Sequence, residues 1–270
     1  MRRQRLDAEL VRRGLARSRQ HAADLVAEGR VLVRGVAASK PATQVDTAEA
    51  VVVSGAASGE EYVSRGAHKL IGALDAFATG LHVADRRCLD AGASTGGFTD
   101  VLLRRGAAHV VAVDVGYGQL AWRLRQDPRV TVLDRTNVRH LTPEQVAPAP
   151  TLVVSDLSFI SLTLVVGALA RCAAPEADHL LMVKPQFEVG REALGSGGVV
   201  RDPAQRAAAV RHVAAAAGTH GLGVRGVAAS PLPGPSGNVE YFLWLAAGAP
   251  GLLEEDLRHA VDTGPRVGLP

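Results

Sequence analysis

The larger, C-terminal part of the chain alternates short apolar runs with longer segments of helical spacing. Helical patterns lie at positions 66–78, 204–217 and 251–262. The apolar runs predict seven strands: Arg87–Asp90, Val110–Asp114, Val130–Asp134, Leu152–Asp156, Leu180–Lys184, Val224–Ala229 and Tyr241–Leu245. Because strands that alternate with helices form parallel sheets covered on both faces, we predict an α/β fold for this part.

The start of the chain follows a different pattern. Apolar residues at helical spacing predict one helix that ends at Gly14 and a second between the N-cap Ser18 and Gly29. Short apolar runs at Val31–Val33 and Val51–Val53 then predict strands separated by turns. This combination indicates a small α+β domain.

Small and polar residues separate the two patterns at positions 54–61. We therefore predict a first domain at residues 1–58, a linker at 59–64 and a second domain at 65–270.

A glycine-rich stretch, Asp90–Phe98, connects the first predicted strand of the second domain to a helix. Its glycines allow positive φ and a close approach of backbone to a ligand. Asp114 ends the next strand, where a carboxylate can accept hydrogen bonds from the hydroxyls of a ribose. The spacing GxxxGG, rather than GxGxxG, favours S-adenosyl-methionine over a dinucleotide. A glycine turn in another α/β fold is the alternative.

Other cofactor contacts follow from positions beside the strand ends. Ser94 and Thr95 can reach the amino-acid end of the donor, and Asp134 or Asn137 the adenine. Phe159 could pack on the cofactor, on a flipped base or in the core. The predicted set is Gly92, Ala93, Ser94, Thr95, Gly96, Gly97, Phe98, Asp114, Val115, Asp134, Asn137, Asp156 and Phe159.

Charge is distributed unevenly along the chain. Ten of the first forty residues are Lys or Arg and four are Asp or Glu, a net +6, which leaves −3 for the rest against a total of +3. A basic head on a mildly acidic body indicates a polyanion such as nucleic acid bound at one end.

Two cysteines, Cys88 and Cys172, flank apolar runs and are expected in the core. No disulfide framework or metal-ligand spacing is present in the sequence. No apolar run approaches the ~18 residues that span a bilayer, and the N-terminus lacks the apolar stretch of a signal peptide. We expect a cytoplasmic protein without a metal.

Four charged residues are expected at the same mouth of the sheet. They are Lys69 before the first strand, Asp156 after the fourth, Lys184 after the fifth and Glu240 at the start of the last. A neutral lysine could remove the proton of a ribose 2′-hydroxyl, and burial beside a second ammonium favours the neutral form. Methyl transfer from a sulfonium otherwise depends mainly on placing the nucleophile in line.

The first domain closely resembles the S4 RNA-binding domain, from Leu6-Asp7 through Ser18-Arg19 to Lys40-Pro41. The resemblance implies that helix starts and the adjacent loop contact RNA phosphates, through Arg3, Arg5, Arg17, Ser18, Arg19 and Lys40. Three further arginines near the predicted mouth, Arg65, Arg135 and Arg139, could bridge RNA to it.

The second domain resembles the FtsJ-type RNA 2′-O-methyltransferases in GASTGGF, SDLSFISL, KPQFEVG and GGVVRDP, and in its Lys–Asp–Lys–Glu order. With an S4 domain in front, the chain resembles the TlyA family over nearly its whole length. That resemblance implies a class I (Rossmann-like) methyltransferase sheet, S-adenosyl-methionine, and ribosomal RNA cytidines of 16S and 23S rRNA or ribosomal subunits as acceptors. It also implies Lys69, Asp156, Lys184 and Glu240 as catalytic residues, with Lys184 as the base.

Three alternatives remain at this point. The first is an S4-tethered RNA-binding protein without catalysis, which the complete set of four charged residues disfavours. The second is a dehydrogenase, disfavoured by GxxxGG and by the lysine pair. The third is a membrane-active haemolysin-like protein, which no spanning segment or strongly amphipathic basic helix supports.

Overall fold

The protein is described by a computed structural model that covers residues 3–16, 18–27, 29–53, 62–190, 194–234 and 236–265. Its chain divides into two compact units, Met1–Glu61 and Tyr62–Pro270. The boundary falls inside the predicted linker, whose own limits stay a prediction.

The first unit packs two helices against short strands. The helices are α1 (Leu6–Arg12) and α2 (Arg19–Ala27), close to the predicted positions. The strands are β1 (Arg3–Arg5), β2 (Val31–Val33), β3 (Val36–Ala37), β4 (Gln44–Asp46) and β5 (Val51–Val53). β1 pairs with β4, and the other three form an antiparallel sheet in the order β3-β2-β5. The core contains Leu6, Leu10, Ala22, Leu25, Val26 and Val31.

The second unit contains all seven predicted strands in one sheet. They are β6 (Arg87–Ala91), β7 (His109–Val113), β8 (Val130–Leu133), β9 (Leu152–Ser155), β10 (Asp178–Val183), β11 (Leu222–Ala229) and β12 (Tyr241–Ala247), in the order β11-β12-β10-β9-β6-β7-β8. The α/β fold class is confirmed. The order changes direction at β6, so the carboxyl ends of β6, β7 and β9 border a crevice that can hold a ligand.

One strand departs from the predicted parallel sheet. β12 is antiparallel to both neighbours, β10 and β11. A parallel crossover needs a dozen or more residues, usually in a helix, whereas the described residues of the 230–240 connection form turns. β12 therefore begins, rather than ends, at the edge where the parallel strands end.

Helices cover both faces of the sheet. They are α3 (Ala67–Ala76), α4 (Gly97–Arg104), α5 (Trp122–Arg125), α6 (Pro143–Val146), α7 (Val166–Cys172), α8 (Pro185–Glu188), α9 (Pro203–Gly218) and α10 (Glu254–Thr263). Successive strand residues point to opposite faces, so Leu180 and Met182 join the core under α3 and α4, while Leu181 and Val183 join the core under α7 and α9. Both cysteines are buried, as expected.

Candidate active site

A buried ion pair joins α3 to the start of β12. The Nζ atom of Lys69 lies 2.6 Å from Oε2 of Glu240, and both side chains are buried. Oε1 of Glu240 has no hydrogen-bond partner among the described residues. A Cβ at Gly234 would lie 2.6 Å from that oxygen, so the glycine is needed for the close approach. The pair fixes Lys69 at the edge of the sheet.

A second lysine, Lys184, lies at the end of β10 and is also buried. Its Nζ atom is 2.6 Å from Oδ1 of Asp156 and donates a hydrogen bond of 2.8 Å to Oγ of Ser158. The contact with Asp156 is an ion pair without hydrogen-bond geometry, so the directional contact is the one to Ser158. Ser158 is not among the residues predicted from the sequence.

Strand register brings these two pairs to the same edge. Val183 of β10 pairs with Tyr241 of β12, so Lys184 and Glu240 occupy the next register position. A Cβ at Gly66, immediately before α3, would lie 3.9 Å from Oδ2 of Asp156. The four predicted catalytic residues therefore lie together at the carboxyl edge of the parallel strands.

The glycine-rich stretch approaches this edge closely. Gly92 has φ of +91° and Gly96, the N-cap of α4, has φ of +98°. A Cβ at Gly92 would lie 2.7 Å from the carbonyl oxygen of Asp156. The two oxygens of Asp114 accept hydrogen bonds from the backbone N–H of Ser94, at 2.8 Å, and of Gly116, at 2.7 Å. A carboxylate held in this way keeps further lone pairs for ribose hydroxyls.

A cavity of about 480 Å³ lies beside Asp114 and Asp156. Seven of the predicted cofactor residues line it: Gly92, Ser94, Asp114, Val115, Asn137, Asp156 and Phe159. The prediction missed Gln119, Thr136, Val138, Leu157, Ser158, Ile160 and Val165. Thr136 and Ser158 each follow a strand-end aspartate by two residues, a spacing that could have indicated them.

Six predicted cofactor residues are not among those that line this cavity: Ala93, Thr95, Gly96, Gly97, Phe98 and Asp134. Phe98 is buried, with its ring 6.1 Å from that of Phe242, and belongs to the core because α4 turns this side toward the sheet. Asp134 forms an ion pair with Arg125 at 2.7 Å.

Phe159 is 91% exposed, which excludes the alternative of a core role and leaves the cofactor and a flipped base. It lies in the loop after β9, with a backbone φ of +64°. The ring centroid lies 5.3 Å from that of Phe187 in α8. A pair of rings, one exposed and one half-buried, therefore lies beside the cavity that Phe159 lines.

Asp90, at the end of β6, is fully buried and accepts a hydrogen bond of 2.7 Å from Oγ1 of Thr99. Burial raises the pKa of Asp90 to about 7, and the hydrogen bond opposes part of that change. In the sequence, this aspartate is recognisable only as the start of the glycine-rich stretch.

The predicted RNA contacts of the first unit are exposed where they are described. Arg5 and Arg19 both contact Asp7, and Oγ of Ser18 accepts a hydrogen bond of 3.1 Å from the backbone N–H of His21, as expected for an N-cap. Arg3 and Lys40 are exposed, and Arg17 lies outside the described residues.

Three predicted RNA contacts of the second unit, Arg65, Arg135 and Arg139, are also exposed. The guanidinium carbon of Arg135 lies 4.3 Å from the ring centroid of Tyr117. A bridging role between the two units stays a prediction.

Comparison with known families gives two matches. The family model for FtsJ-like methyltransferases matches residues 62–247, and that for the S4 domain matches residues 4–52. The chain belongs to the FtsJ-like methyltransferase family. The predicted resemblance is confirmed, and the dehydrogenase alternative is wrong.

Individual members of the FtsJ-like methyltransferase family agree with this assignment. The 16S/23S rRNA (cytidine-2′-O)-methyltransferase TlyA of Mycobacterium tuberculosis is 61% identical, over 98% of this chain and 99% of that protein. The 23S rRNA (cytidine-2′-O)-methyltransferase TlyA of Campylobacter jejuni is 34% identical, over 68% of this chain and 71% of that protein. A solved Streptococcus thermophilus structure, described as a hemolysin, has a TM-score of 0.76 and 37% identity, over 97% of this chain and 95% of that one.

Two further properties of the described residues concern membranes and metals. No helix within them has the length and apolarity needed to cross a membrane. The same residues include no group of three or more His, Cys, Asp and Glu side chains that could hold a metal ion.

Proposed function

We propose that this protein transfers a methyl group from S-adenosyl-methionine to the ribose 2′-hydroxyl of cytidines in 16S and 23S ribosomal RNA. The proposal rests on one observation above all, the convergence of Lys69–Glu240 and Lys184–Asp156 beside the cavity of Asp114. Membership in the FtsJ-like methyltransferase family and the similarity to TlyA of M. tuberculosis support the substrate class. The proposal includes a cytoplasmic location, with ribosomal RNA or a subunit as partner.

The residues around the cavity fit S-adenosyl-methionine. The close approach at Gly92 leaves room that a Cβ would fill, and Asp114 offers acceptors to a ribose. Gln119, Thr136 and Asn137 supply polar groups on the cavity wall. When bound, the cofactor supplies a methyl group already activated by a sulfonium.

Lys184 acts as the base in this proposal. In its neutral form it takes the proton of the 2′-hydroxyl while that oxygen is methylated. Ser158 and Asp156 hold Nζ in position, at 2.8 and 2.6 Å, because the contacts fix an otherwise flexible side chain. Lys69, neutralised by buried Glu240, contributes position rather than net charge.

The exposed ring of Phe159 and the half-buried ring of Phe187 support a further part of the proposal. A base moved out of its stack gains stability on aromatic side chains, and these rings already lie beside the cavity. We assign Phe159 to the target nucleotide rather than to the cofactor because of its exposure.

Mapping of ribose methylation tests the proposed function. Ribosomal RNA from cells that contain the protein should carry 2′-O-methylcytidine at sites that remain unmodified in cells without it. Unchanged methylation in both rRNAs, together with intact RNA binding, would favour the S4-tethered binding protein instead.

A further inference from the structure

A buried carboxylate lies between two arginines of the first unit that are predicted to contact RNA. Oδ1 and Oδ2 of Asp7 accept hydrogen bonds from Nε and Nη2 of Arg5, at 3.1 and 2.8 Å. Oδ2 also accepts a hydrogen bond of 3.1 Å from Nη2 of Arg19. One carboxylate therefore joins Arg5, at the end of β1, to Arg19, at the start of α2.

The side chain of Asp7 is more buried, and more tightly held by its surroundings, than the side chains of the two arginines. Asp7 is 4% exposed, and its Oδ1 accepts a further hydrogen bond of 2.8 Å from the backbone N–H of Ala8. The side chains of Arg5 and Arg19 are 46% and 60% exposed. The hydrogen bonds of Arg5, ahead of those of Arg19, lower the pKa of Asp7 to about 2, so the group is charged near neutral pH.

We infer that Asp7 is a positioning residue of the RNA-binding surface, which holds Arg5 and Arg19 at a fixed spacing for phosphate groups. This inference rests on the proposed function, because it takes ribosomal RNA as the ligand. A guanidinium has five N–H donors, so it can contact a carboxylate and a phosphate oxygen at once. The rotamer freedom of both arginines is then reduced before RNA arrives.

If Asp7 has this role, its removal should change the affinity for RNA in the direction opposite to that expected from charge alone. Removal of a negative charge from a basic surface should strengthen its binding to a polyanion. If Asp7 positions the arginines, Asp7→Asn should instead weaken RNA binding, because one neutral amide oxygen cannot hold two guanidinium groups.

Helix α1 also provides a matched control. Buried Glu9 binds Arg12 and Arg13, at 2.6 and 2.5 Å, and neither arginine belongs to the predicted phosphate contacts. Arg13 donates as well to the carbonyl oxygens of Glu49 and Thr47, at 2.9 Å, so it is engaged within the unit. Glu9→Gln removes the same charge from the same helix.

Filter binding of the full chain to in vitro transcribed 16S and 23S rRNA, over a series of salt concentrations, tests the inference. We expect Asp7→Asn to weaken binding about tenfold, the order of magnitude of one charge-assisted hydrogen bond, and to lower the salt slope. Glu9→Gln should bind as the wild type does or more tightly. Circular dichroism and thermal unfolding verify that each variant is folded.

Asp7→Glu provides a second variant that keeps the charge but displaces the carboxylate. It should also weaken binding, whereas a pure charge effect would leave it unchanged. Arg19→Ala should cost less affinity in the Asp7→Asn background than in the wild type. Wild-type affinity in folded Asp7→Asn and Asp7→Glu would overturn the role of Asp7 alone. A wild-type chain that binds neither the two RNAs nor ribosomal subunits would overturn the proposed function with it.

Discussion

At the scale of single residues, the proposed chemistry depends on the positions of two lysines. Lys69 forms a buried ion pair with Glu240. Lys184 contacts Asp156 and Ser158, which both line the cavity. Lys184 therefore donates to a residue that lines the cavity, Ser158, whereas Lys69 donates to Glu240, which does not line it.

Lys184→Ala should reduce methyl transfer at least about a hundredfold, because general base catalysis contributes roughly that much or more. Cofactor affinity should stay within about twofold, since Lys184 does not line the cavity. Single-turnover transfer of labelled methyl and calorimetry with S-adenosyl-methionine measure the two effects. Near-normal transfer would reject Lys184 as the base; Arg258→Ala, at an exposed position of α10, is the control.

Asp90 should make stability depend on pH. Its pKa in the folded chain, about 7, lies above the ordinary 3.8, so between these values the folded state retains a proton that the unfolded state has released. Stability should therefore fall as pH rises through this window, by up to about 1.4 kcal/mol per unit. Urea unfolding of the wild type and Asp90→Asn should show a smaller slope in the variant; equal slopes would contradict the assignment.

Asp114, Asp156 and Lys184 could be predicted because charged residues at strand ends leave a clear pattern. Glu240, just before a strand, and Lys69, in a helix, are assigned mainly through the family resemblance. The role of Asp7 could not be found in this way, and Ser158 is indicated only by its spacing from Asp156. A serine in a loop and an aspartate in a short helix are common in sequences, and their roles depend on partners that only the folded chain brings near.

At the scale of elements, two loops at the carboxyl edge are joined to each other. Glu188 of α8 accepts hydrogen bonds from Oγ of Ser161, at 2.5 Å, and from the backbone N–H of Leu162, at 2.8 Å. The ion pair of Lys184 with Asp156 joins the same two loops. The loops after β9 and β10 therefore form one connected structure.

Glu188→Gln should lower kcat by about 10- to 100-fold while leaving cofactor affinity unchanged. An amide cannot accept both hydrogen bonds as strongly, and small displacements of a catalytic group have effects of this order. Steady-state kinetics at a temperature where the variant is folded measures the decrease. Glu255→Gln, at an exposed position of α10, is the control, and equal kcat values in both variants would exclude a positioning role for Glu188.

Alanine at Gly92 would have two effects that can be separated: backbone strain from its positive φ, and a steric clash of the new Cβ near the cofactor site. Gly92→Ala and Gly106→Ala should both destabilise the chain by about 1–2 kcal/mol, because φ is +91° and +85°. A Cβ at Gly106 meets nothing closer than 3.6 Å, whereas one at Gly92 comes to 2.7 Å from Asp156. Calorimetry should show weaker S-adenosyl-methionine binding only for Gly92→Ala; equal affinities would remove Gly92 from the cofactor site.

The strands of the sheet were predictable because they are buried apolar runs. The direction of β12 was not, since direction depends on the connection before it, and β1 has a polar sequence that leaves no periodic pattern.

At the scale of the whole molecule, RNA binding and methyl transfer belong to separate compact units in the proposed function. The net positive charge is concentrated in the first forty residues, within the first unit, and the cavity and the four catalytic candidates lie in the second.

Deletion of residues 1–61 should weaken binding to ribosomal RNA and reduce its dependence on salt, because fewer phosphates are neutralised. The slope of log K against log salt should decrease by about 0.7–0.9 for each phosphate that the shortened chain no longer neutralises. Filter binding measures the slope, and calorimetry with S-adenosyl-methionine shows whether the second unit is intact. An unchanged slope would contradict RNA binding by the first unit.

The reversed strand β12 has a consequence for incomplete chains. β12 lies between β10 and β11. A product that stops before residue 240 therefore lacks the carboxylate of Glu240, and its apolar strand β10 becomes an unpaired edge strand. Unpaired edge strands form backbone hydrogen bonds with strands of other molecules, which leads to aggregation. Premature termination near the end of the reading frame should thus yield insoluble material rather than a weakened enzyme.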